Sequence, residues 1–123
     1  MESGLKVDSL GFTPTLVVNK FHKTPFDVYV GRGSKWGNPY PLTGSSREEK
    51  LESRKVVIRR FEEYFLATSD LLDSVVSLQG KRLQCFCAPL PCHADVLAFY
   101  ADAIYLFGEL PEQSAFSILY PEG

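Results

Sequence analysis

Long apolar runs are absent from this sequence. No stretch of its 123 residues approaches the roughly 20 consecutive apolar residues that a membrane-spanning helix needs. The N-terminal stretch MESGLKVDSLGF also lacks the basic region and apolar region of a secretory signal. We therefore expect a cytoplasmic protein that has no membrane partner.

A large excess of one charge is absent too, and cysteine is scarce. Thirteen Lys and Arg residues stand against 15 Asp and Glu residues, a formal net charge of −2. Such a chain has no strong overall field for a nucleic acid duplex, so any contact with nucleic acid has to be local. The three cysteines all lie within residues 85–92, and their odd number argues against a disulfide framework.

The apolar pattern predicts one small α/β domain. Alternation and helical spacing give the order strand, strand, helix, helix, strand, helix. The predicted strands and helices cover residues 16–18, 27–30, 46–67, 69–80, 81–87 and 94–107. We expect a short, partly parallel sheet covered by about three helices. Residues 14–108 form this domain, with an N-terminal extension at 1–13 and a C-terminal arm at 109–123.

Three local features of these elements can be checked against a structure. Ser45 and Glu48 have the spacing of a capping box before the first helix, and Glu62 is expected on its solvent face. Ser69 is expected to cap the second helix. The apolar patch at residues 116–120 fits either an edge strand or an arm docked on the body or on a partner.

The stretch VGRGSKWGNPYPL, residues 30–42, follows the second strand and fits no standard phosphate loop. Its glycines have the spacing GxGxxxG and no helix follows directly, which excludes a dinucleotide fingerprint and a P-loop. Arg32 and Lys35 suit an anion, and Trp36 offers a face for stacking. The alternative is that Trp36 anchors the loop on the core. The candidate ligand-binding residues are Gly31, Arg32, Ser34, Lys35, Trp36, Asn38 and Cys87.

The stretch LQCFCAPLPCHADVL, residues 83–97, places all three cysteines near the end of the third strand. Cys85 and Cys87 share one face of that strand, and Cys92 starts the last helix. Without a metal, a thiolate of Cys92 at the helix N-terminus would be favoured, and Cys92, His93 and Asp95 become candidate catalytic residues. Plain helix capping is the alternative for Asp95.

A metal site is another interpretation of the same stretch. Zinc accepts sulfur and nitrogen donors, and its candidate ligands are Cys85, Cys87, Cys92 and His93. The spacing differs from two CxxC pairs, so burial of the cysteines as small apolar side chains competes with this interpretation. An iron–sulfur cluster held by the three cysteines is a weaker alternative.

Both stretches follow strands, so they open on one edge of the sheet if those strands are parallel neighbours. Together they resemble the family called domain of unknown function 4326, which occurs in phage and bacterial genomes. The matching positions are Tyr29, Gly31, Arg32, Ser34, Lys35, Trp36, Gly37, Asn38, Pro39, Gly80, Lys81, Leu83, Cys85, Cys87, Cys92, His93 and Asp95. Ala94 departs from the glycine of many members. The resemblance implies no activity, but it implies that both loops form one functional unit and that the origin is a phage or prophage.

These observations favour a small phage-type enzyme that acts on a nucleotide, nucleoside or related phosphorylated ligand in the host cytoplasm. Arg32 and Lys35 would hold the anion, while Trp36 and Asn38 would contact the base or sugar. The alternative is a non-catalytic, zinc-stabilised module that binds a host protein or nucleic acid.

Overall fold

A three-stranded parallel sheet lies at the centre of the structure, a computed structural model that describes residues 12–86 and 90–121. The strands are β1 (Leu16–Asn19), β2 (Val28–Tyr29) and β3 (Arg82–Cys85). Their order is β1-β3-β2, and both neighbouring pairs are parallel. Most of the predicted N-terminal extension lies outside the described residues.

The central strand β3 is buried on both faces. Leu83 and Cys85 point to one side and Gln84 to the other, and all three are covered. On the β2 side, pairing continues for one residue because Val30 N donates to Gln84 O at 2.9 Å. The chain therefore leaves β2 and β3 at the same edge, which confirms that these two strands are parallel neighbours.

Four α-helices lie within residues 12–86 and 90–121, and each packs against the sheet or against another helix. They are α1 (Arg47–Ala67), α2 (Ser69–Ser74), α3 (His93–Phe107) and α4 (Ala115–Leu119), with single 3-10 turns at Lys20–His22 and Val75–Leu78. Helix α3 packs on β1 and β3, and α1 packs on α3. The predicted small α/β fold is confirmed, with one more helix than expected. Among the described residues no helix is long and apolar enough to cross a membrane.

Helix α1 begins one residue later than the predicted capping box implies. Ser46 is the cap: its Oγ accepts from Glu49 N at 3.0 Å, and Glu49 Oε1 accepts from Ser46 N at 3.1 Å. The sequence SSREE contains two overlapping S-x-x-E frames, so spacing alone does not choose between them. The choice of Ser45 with Glu48 is wrong.

The second predicted helix is an α-helix in its first part and a 3-10 turn in its second part. Helix α2 stops at Ser74 and the chain tightens into the 3-10 turn Val75–Leu78 before Gly80, whose φ is +79°. Ser69 is the first helical residue, and Thr68 takes the cap position without a capping hydrogen bond, because its Oγ1 donates back to Tyr64 O at 2.6 Å. The predicted cap at Ser69 is therefore wrong.

Glu62 is buried, although the helical pattern of α1 placed it in solvent. Its side chain, only 4% exposed, accepts hydrogen bonds from Tyr100 Oη and from the backbone N–H groups of Ala115 and Phe116. Three donors satisfy a carboxylate that would otherwise be costly to bury. The C-terminal patch is thus a docked helix, α4, and the edge-strand alternative is wrong.

Candidate functional site

A pocket opens at the carboxyl edge of the sheet, where β2 and β3 end. Its volume is about 170 Å³. Parallel strands bring distant parts of the chain together at such an edge, and ligands commonly bind there. Both sequence motifs contribute to its lining: Gly31, Arg32 and Asn38 come from the first, and Cys85, Cys92 and His93 from the second.

The loop after β2 is folded back on itself around the carbonyl group of Gly31. Ser34 N and Ser34 Oγ both donate to Gly31 O, at 3.1 and 2.7 Å. A Cβ at Gly37 would lie 2.8 Å from the same oxygen, so only glycine fits there. Gly33 has a φ of +90°, which also favours glycine. These close turns keep Arg32 at the mouth of the pocket.

Arg32 is held by neutral groups. Its Nη1 donates to Asn38 O at 3.3 Å and its Nη2 to Tyr40 O at 3.5 Å. Asn38 fixes this part of the loop, because its Nδ2 donates to Val57 O at 3.2 Å and its Oδ1 accepts from Tyr40 N at 2.9 Å. Two neutral carbonyl groups therefore hold the guanidinium of Arg32 in position, and neither of them neutralises its positive charge.

Arg54 brings a second guanidinium to the pocket, from α1. Its Nη1 donates to Pro91 O at 3.2 Å, which links α1 to the segment before α3. Its Nε is buried and has no hydrogen-bond partner among the described residues. A buried donor without an acceptor costs free energy, so a ligand that offers an acceptor here would gain from it.

The pocket carries positive charge that no acidic side chain of its described lining balances. Of the described residues that line it, none is acidic. Within residues 12–86 and 90–121, neither Arg32 nor Arg54 has a carboxylate at ion-pair distance. Two guanidinium groups on one concave surface favour an anion with several acceptor oxygens.

Cys92 and His93 lie at the inner side of the pocket, where α3 begins. Cys92 Sγ is 3.4 Å from His93 Nδ1, and His93 Nε2 is 2.7 Å from Val30 O. A carbonyl oxygen only accepts, so Nε2 carries a proton, and the other ring nitrogen, Nδ1, faces the thiol. Cys92 is also the cap of α3, and its Sγ accepts from Ala94 N at 3.5 Å.

Three of the four predicted zinc ligands lie together. Cys85 Sγ is 3.1 Å from Cys92 Sγ, and Cys87 lies outside the described residues. Two thiolates on a tetrahedral zinc would be about 3.8 Å apart, given a Zn–S distance of about 2.3 Å. In the described ranges, no group of three or more His, Cys, Asp or Glu side chains has an arrangement that could hold a metal ion.

Comparison with known proteins covers both halves of this pocket. The sequence model of a family described as a domain of unknown function, DUF4326, matches residues 17–103. This chain belongs to the DUF4326 family. It is also similar to an uncharacterized 12.4 kDa protein in the nrdA-td intergenic region of Enterobacteria phage T4, with 38% identity over 90 residues, 72% of this chain and 79% of the phage protein. No solved structure matches.

Every pocket residue named above lies within the DUF4326 match, but three predicted ligand-binding residues, Ser34, Lys35 and Trp36, do not line the pocket, and Cys87 lies outside the described residues. Trp36 is 7% exposed and packs in the core, so its ring has no open face for a base. Lys35 Nζ is 3.5 Å from Asp70 Oδ2 and 3.0 Å from Ser74 Oγ, on α2. These two side chains fasten the loop to the body of the protein.

Asp95 hydrogen-bonds to the backbone of Cys92 and does not line the pocket of this DUF4326 protein. Its Oδ2 accepts from Cys92 N at 3.0 Å and from Tyr120 Oη at 2.9 Å. Burial and the neighbouring carboxylate raise the pKa of Tyr120 well above its ordinary value, so the phenol stays a donor. Helix capping, the simpler alternative for Asp95, agrees with this geometry.

Arg54 is the pocket residue that sequence reasoning missed. The apolar stripe of α1 includes Ile58, Phe61 and Phe65, and Arg54 lies one turn before Ile58 on the same stripe. A charged residue at a core-facing helical position is unusual, because its burial is costly without a function or a partner. That irregularity in the stripe was the available signal.

Proposed function

We propose that this protein binds a nucleotide, nucleoside or related phosphorylated ligand in the pocket, and that Cys92 and His93 act on it. The observation that supports this most strongly is the pair Arg32 and Arg54, which lines the same pocket as Cys92 and His93 and has no acidic neighbour among the described lining residues. The phage relative supports action in the cytoplasm of an infected cell.

The size of the pocket limits what it encloses. Pockets for drug-sized ligands measure about 300–1,000 Å³, and this one is about 170 Å³. It therefore takes the phosphate-bearing part of a ligand, with the rest outside. Arg32 and Arg54 bind the phosphate oxygens.

The pair of Cys92 and His93 supplies a nucleophile and an acid. The thiol proton moves from Cys92 Sγ to His93 Nδ1, and Val30 O stabilises the imidazolium through Nε2–H. The N-terminus of α3 favours the thiolate. The thiolate attacks an electrophilic atom of the ligand, the bond from that atom to its leaving group breaks, and the imidazolium protonates the leaving group. Water then displaces Cys92 from the intermediate and regenerates the thiol.

Titration calorimetry with a panel of nucleoside monophosphates and ribose 5-phosphate tests the binding. Hydrogen bonds to charged groups contribute about 1.5–3 kcal/mol each, so Arg32→Ala and Arg54→Ala should weaken binding roughly 10- to 100-fold. Lys55→Ala removes one positive charge from the next residue of α1, which does not line the pocket, and should change affinity little. No binding by any compound, or an equal loss in Lys55→Ala, contradicts the proposal.

A second candidate function rests on the proximity of Cys85, Cys92 and His93. His93 gives its other ring nitrogen to a backbone carbonyl, as metal-bound histidines usually do. On this basis the protein would be a zinc-stabilised module that binds a host protein or nucleic acid, with Cys87 as a further ligand.

Elemental analysis combined with alkylation separates the two candidates. One equivalent of zinc retained through dialysis favours the module, since a zinc-bound Cys92 is not a nucleophile. Metal-free protein in which iodoacetamide modifies Cys92, at a rate that falls in His93→Gln, favours the enzyme. Peptide mass spectrometry identifies the modified cysteine.

A further inference from the structure

Two exposed aromatic rings lie beside the pocket at the same edge of the sheet. Phe86 lines the pocket and is 41% exposed, and its ring centroid is 5.3 Å from that of Phe21, which is 74% exposed. Tyr29 meets Phe86 edge-on at 6.1 Å. We name Phe21, Tyr29 and Phe86 the aromatic platform.

The turn after β1 holds Phe21 in this exposed place. Asn19 Oδ1 accepts from Phe21 N at 2.8 Å, while Asn19 Nδ2 donates to Phe86 O at 3.3 Å. One side chain thus ties the backbone of Phe21 to that of Phe86. Lys23 closes the turn with a left-handed φ of +56°. The ring is fixed toward solvent although burial would stabilise it.

The ammonium group of Lys20 lies close to two rings of the aromatic platform. Lys20 Nζ lies 5.0 Å from the ring centroid of Phe86 and 5.1 Å from that of Tyr29. Aromatic faces with nearby positive charge are the features by which proteins hold unpaired nucleobases next to their phosphates. The pocket is too small for a whole nucleotide, and Phe86 is shared by the pocket and the platform.

We infer that the platform is a nucleobase subsite: a base stacks on Phe21 and Phe86 while its phosphate occupies the pocket of Arg32 and Arg54. This inference rests on the proposed function and narrows the ligand to one that joins a nucleobase to a phosphate. It gives Phe21 and Phe86 the stacking role that Trp36, buried in the core, does not have.

Calorimetric titrations with adenosine monophosphate and ribose 5-phosphate separate the base from the sugar phosphate. We expect adenosine monophosphate to bind the wild type more tightly, and Phe21→Ala to weaken it about tenfold while leaving ribose 5-phosphate unchanged. Phe86→Leu should act similarly and keeps an apolar pocket wall. The matched control is Phe107→Ala, because Phe107 is 73% exposed but lies at the far end of α3, about 21 Å along the helix from His93.

The outcomes distinguish the subsite from the pocket. Equal affinity of the wild type for both compounds, or an equal loss for both in Phe21→Ala, overturns the base subsite and leaves the phosphate pocket standing. Failure of both compounds to bind overturns the proposed function. A 5′-phosphorylated single-stranded hexanucleotide that binds more tightly than adenosine monophosphate, in a manner dependent on Phe21, assigns the base to a strand; equal or weaker binding assigns it to a free nucleotide.

Discussion

Two arginines from distant parts of the chain reach the same pocket by different means. Arg32 sits in a loop whose carbonyl groups hold the guanidinium from its sides. Arg54 projects from the regular helix α1 and reaches Pro91 O across the pocket. A loop and a helix thus fix two positive charges in place, which would lower the entropy cost of binding the proposed anionic ligand.

Replacement of Trp36 should lower the stability of the protein and leave its affinity for nucleotides nearly unchanged. Because it is packed in the core, Trp36→Phe should lower the free energy of unfolding by roughly 1–3 kcal/mol. Phe21→Ala, at a ring that is mostly in solvent, should lower it by no more than about 0.5 kcal/mol. Urea denaturation measures both. Nucleotide affinity of Trp36→Phe should stay within about twofold of wild type; a large loss of affinity with unchanged stability would show that Trp36 binds the ligand after all.

Residue type alone does not show whether Trp36 and Lys35 bind a ligand or anchor the loop, and the reason is physical. A tryptophan beside a lysine suits both a ligand and an anchor, and only its depth decides between them. Lys35 bonds to α2, an element more than thirty residues away, and no local pattern announces that contact. The Gly-rich loop itself was recognised because glycine, proline and asparagine have strong local conformational preferences.

At the scale of elements, β2 is only two residues long and depends on a contact just before it. Asp27 N donates to Arg82 O at 2.9 Å, and Asp27 Oδ2 accepts from Arg82 N at 2.8 Å and Arg82 Nε at 3.3 Å. Hydrogen bonds from Arg82 hold the pKa of Asp27 below its usual value. This contact starts the pairing of β2 with β3 and so supports the loop that carries Arg32.

The depressed pKa of Asp27 predicts how stability responds to acid. A carboxyl group whose pKa is lower in the folded state stabilises the protein above its unfolded pKa, and this contribution disappears as the pH falls through the folded pKa. Wild type should therefore be more stable than Asp27→Asn near neutral pH, and the difference should shrink below about pH 4. Urea denaturation at several pH values measures it. In an Arg82→Gln background the pH dependence of the difference should be smaller but still present, because the backbone N–H of residue 82 still donates to Asp27; a difference that persists unchanged at pH 3 contradicts this account.

Elements with regular patterns were predictable, and those fixed by long-range contacts were not. Helix α3 runs to Gly108 as predicted, because an amphipathic stripe and a left-handed glycine cap are local signals. Helix α4 was ambiguous because its five residues are too few to show a period, and Glu62 alone accepts three of the hydrogen bonds around its start.

At the scale of the whole molecule, the C-terminal segment that contains α4 and Tyr120 is connected to the residues behind the pocket. Glu62 binds the first turn of α4 to α1 and α3, and Tyr120, just after α4, donates to Asp95 beneath Cys92. The family match ends at residue 103, so Glu62 and Asp95 lie inside it, while α4 and Tyr120 lie outside it. The position of Cys92 thus depends on a segment that only the three-dimensional structure links to the site.

Replacement of Glu62 should therefore loosen α4 and alter the site together. Glu62→Ala leaves Tyr100 Oη and Phe116 N without their acceptor and Ala115 N with only Tyr100 Oη at 3.1 Å, so the free energy of unfolding should fall by about 3 kcal/mol. Glu62→Gln, which keeps one acceptor oxygen, should lose less, and Glu63→Ala, at the exposed neighbouring position, should lose under about 0.5 kcal/mol. Urea denaturation measures the stabilities, and limited proteolysis should cut near residue 115 first in Glu62→Ala.

Because Tyr120 holds Asp95 against Cys92 N, alkylation of Cys92 should also change in rate in that variant and not in Glu63→Ala. If α4 stays resistant to protease and the alkylation rate is the same in both variants, the connection between Glu62 and Cys92 does not exist.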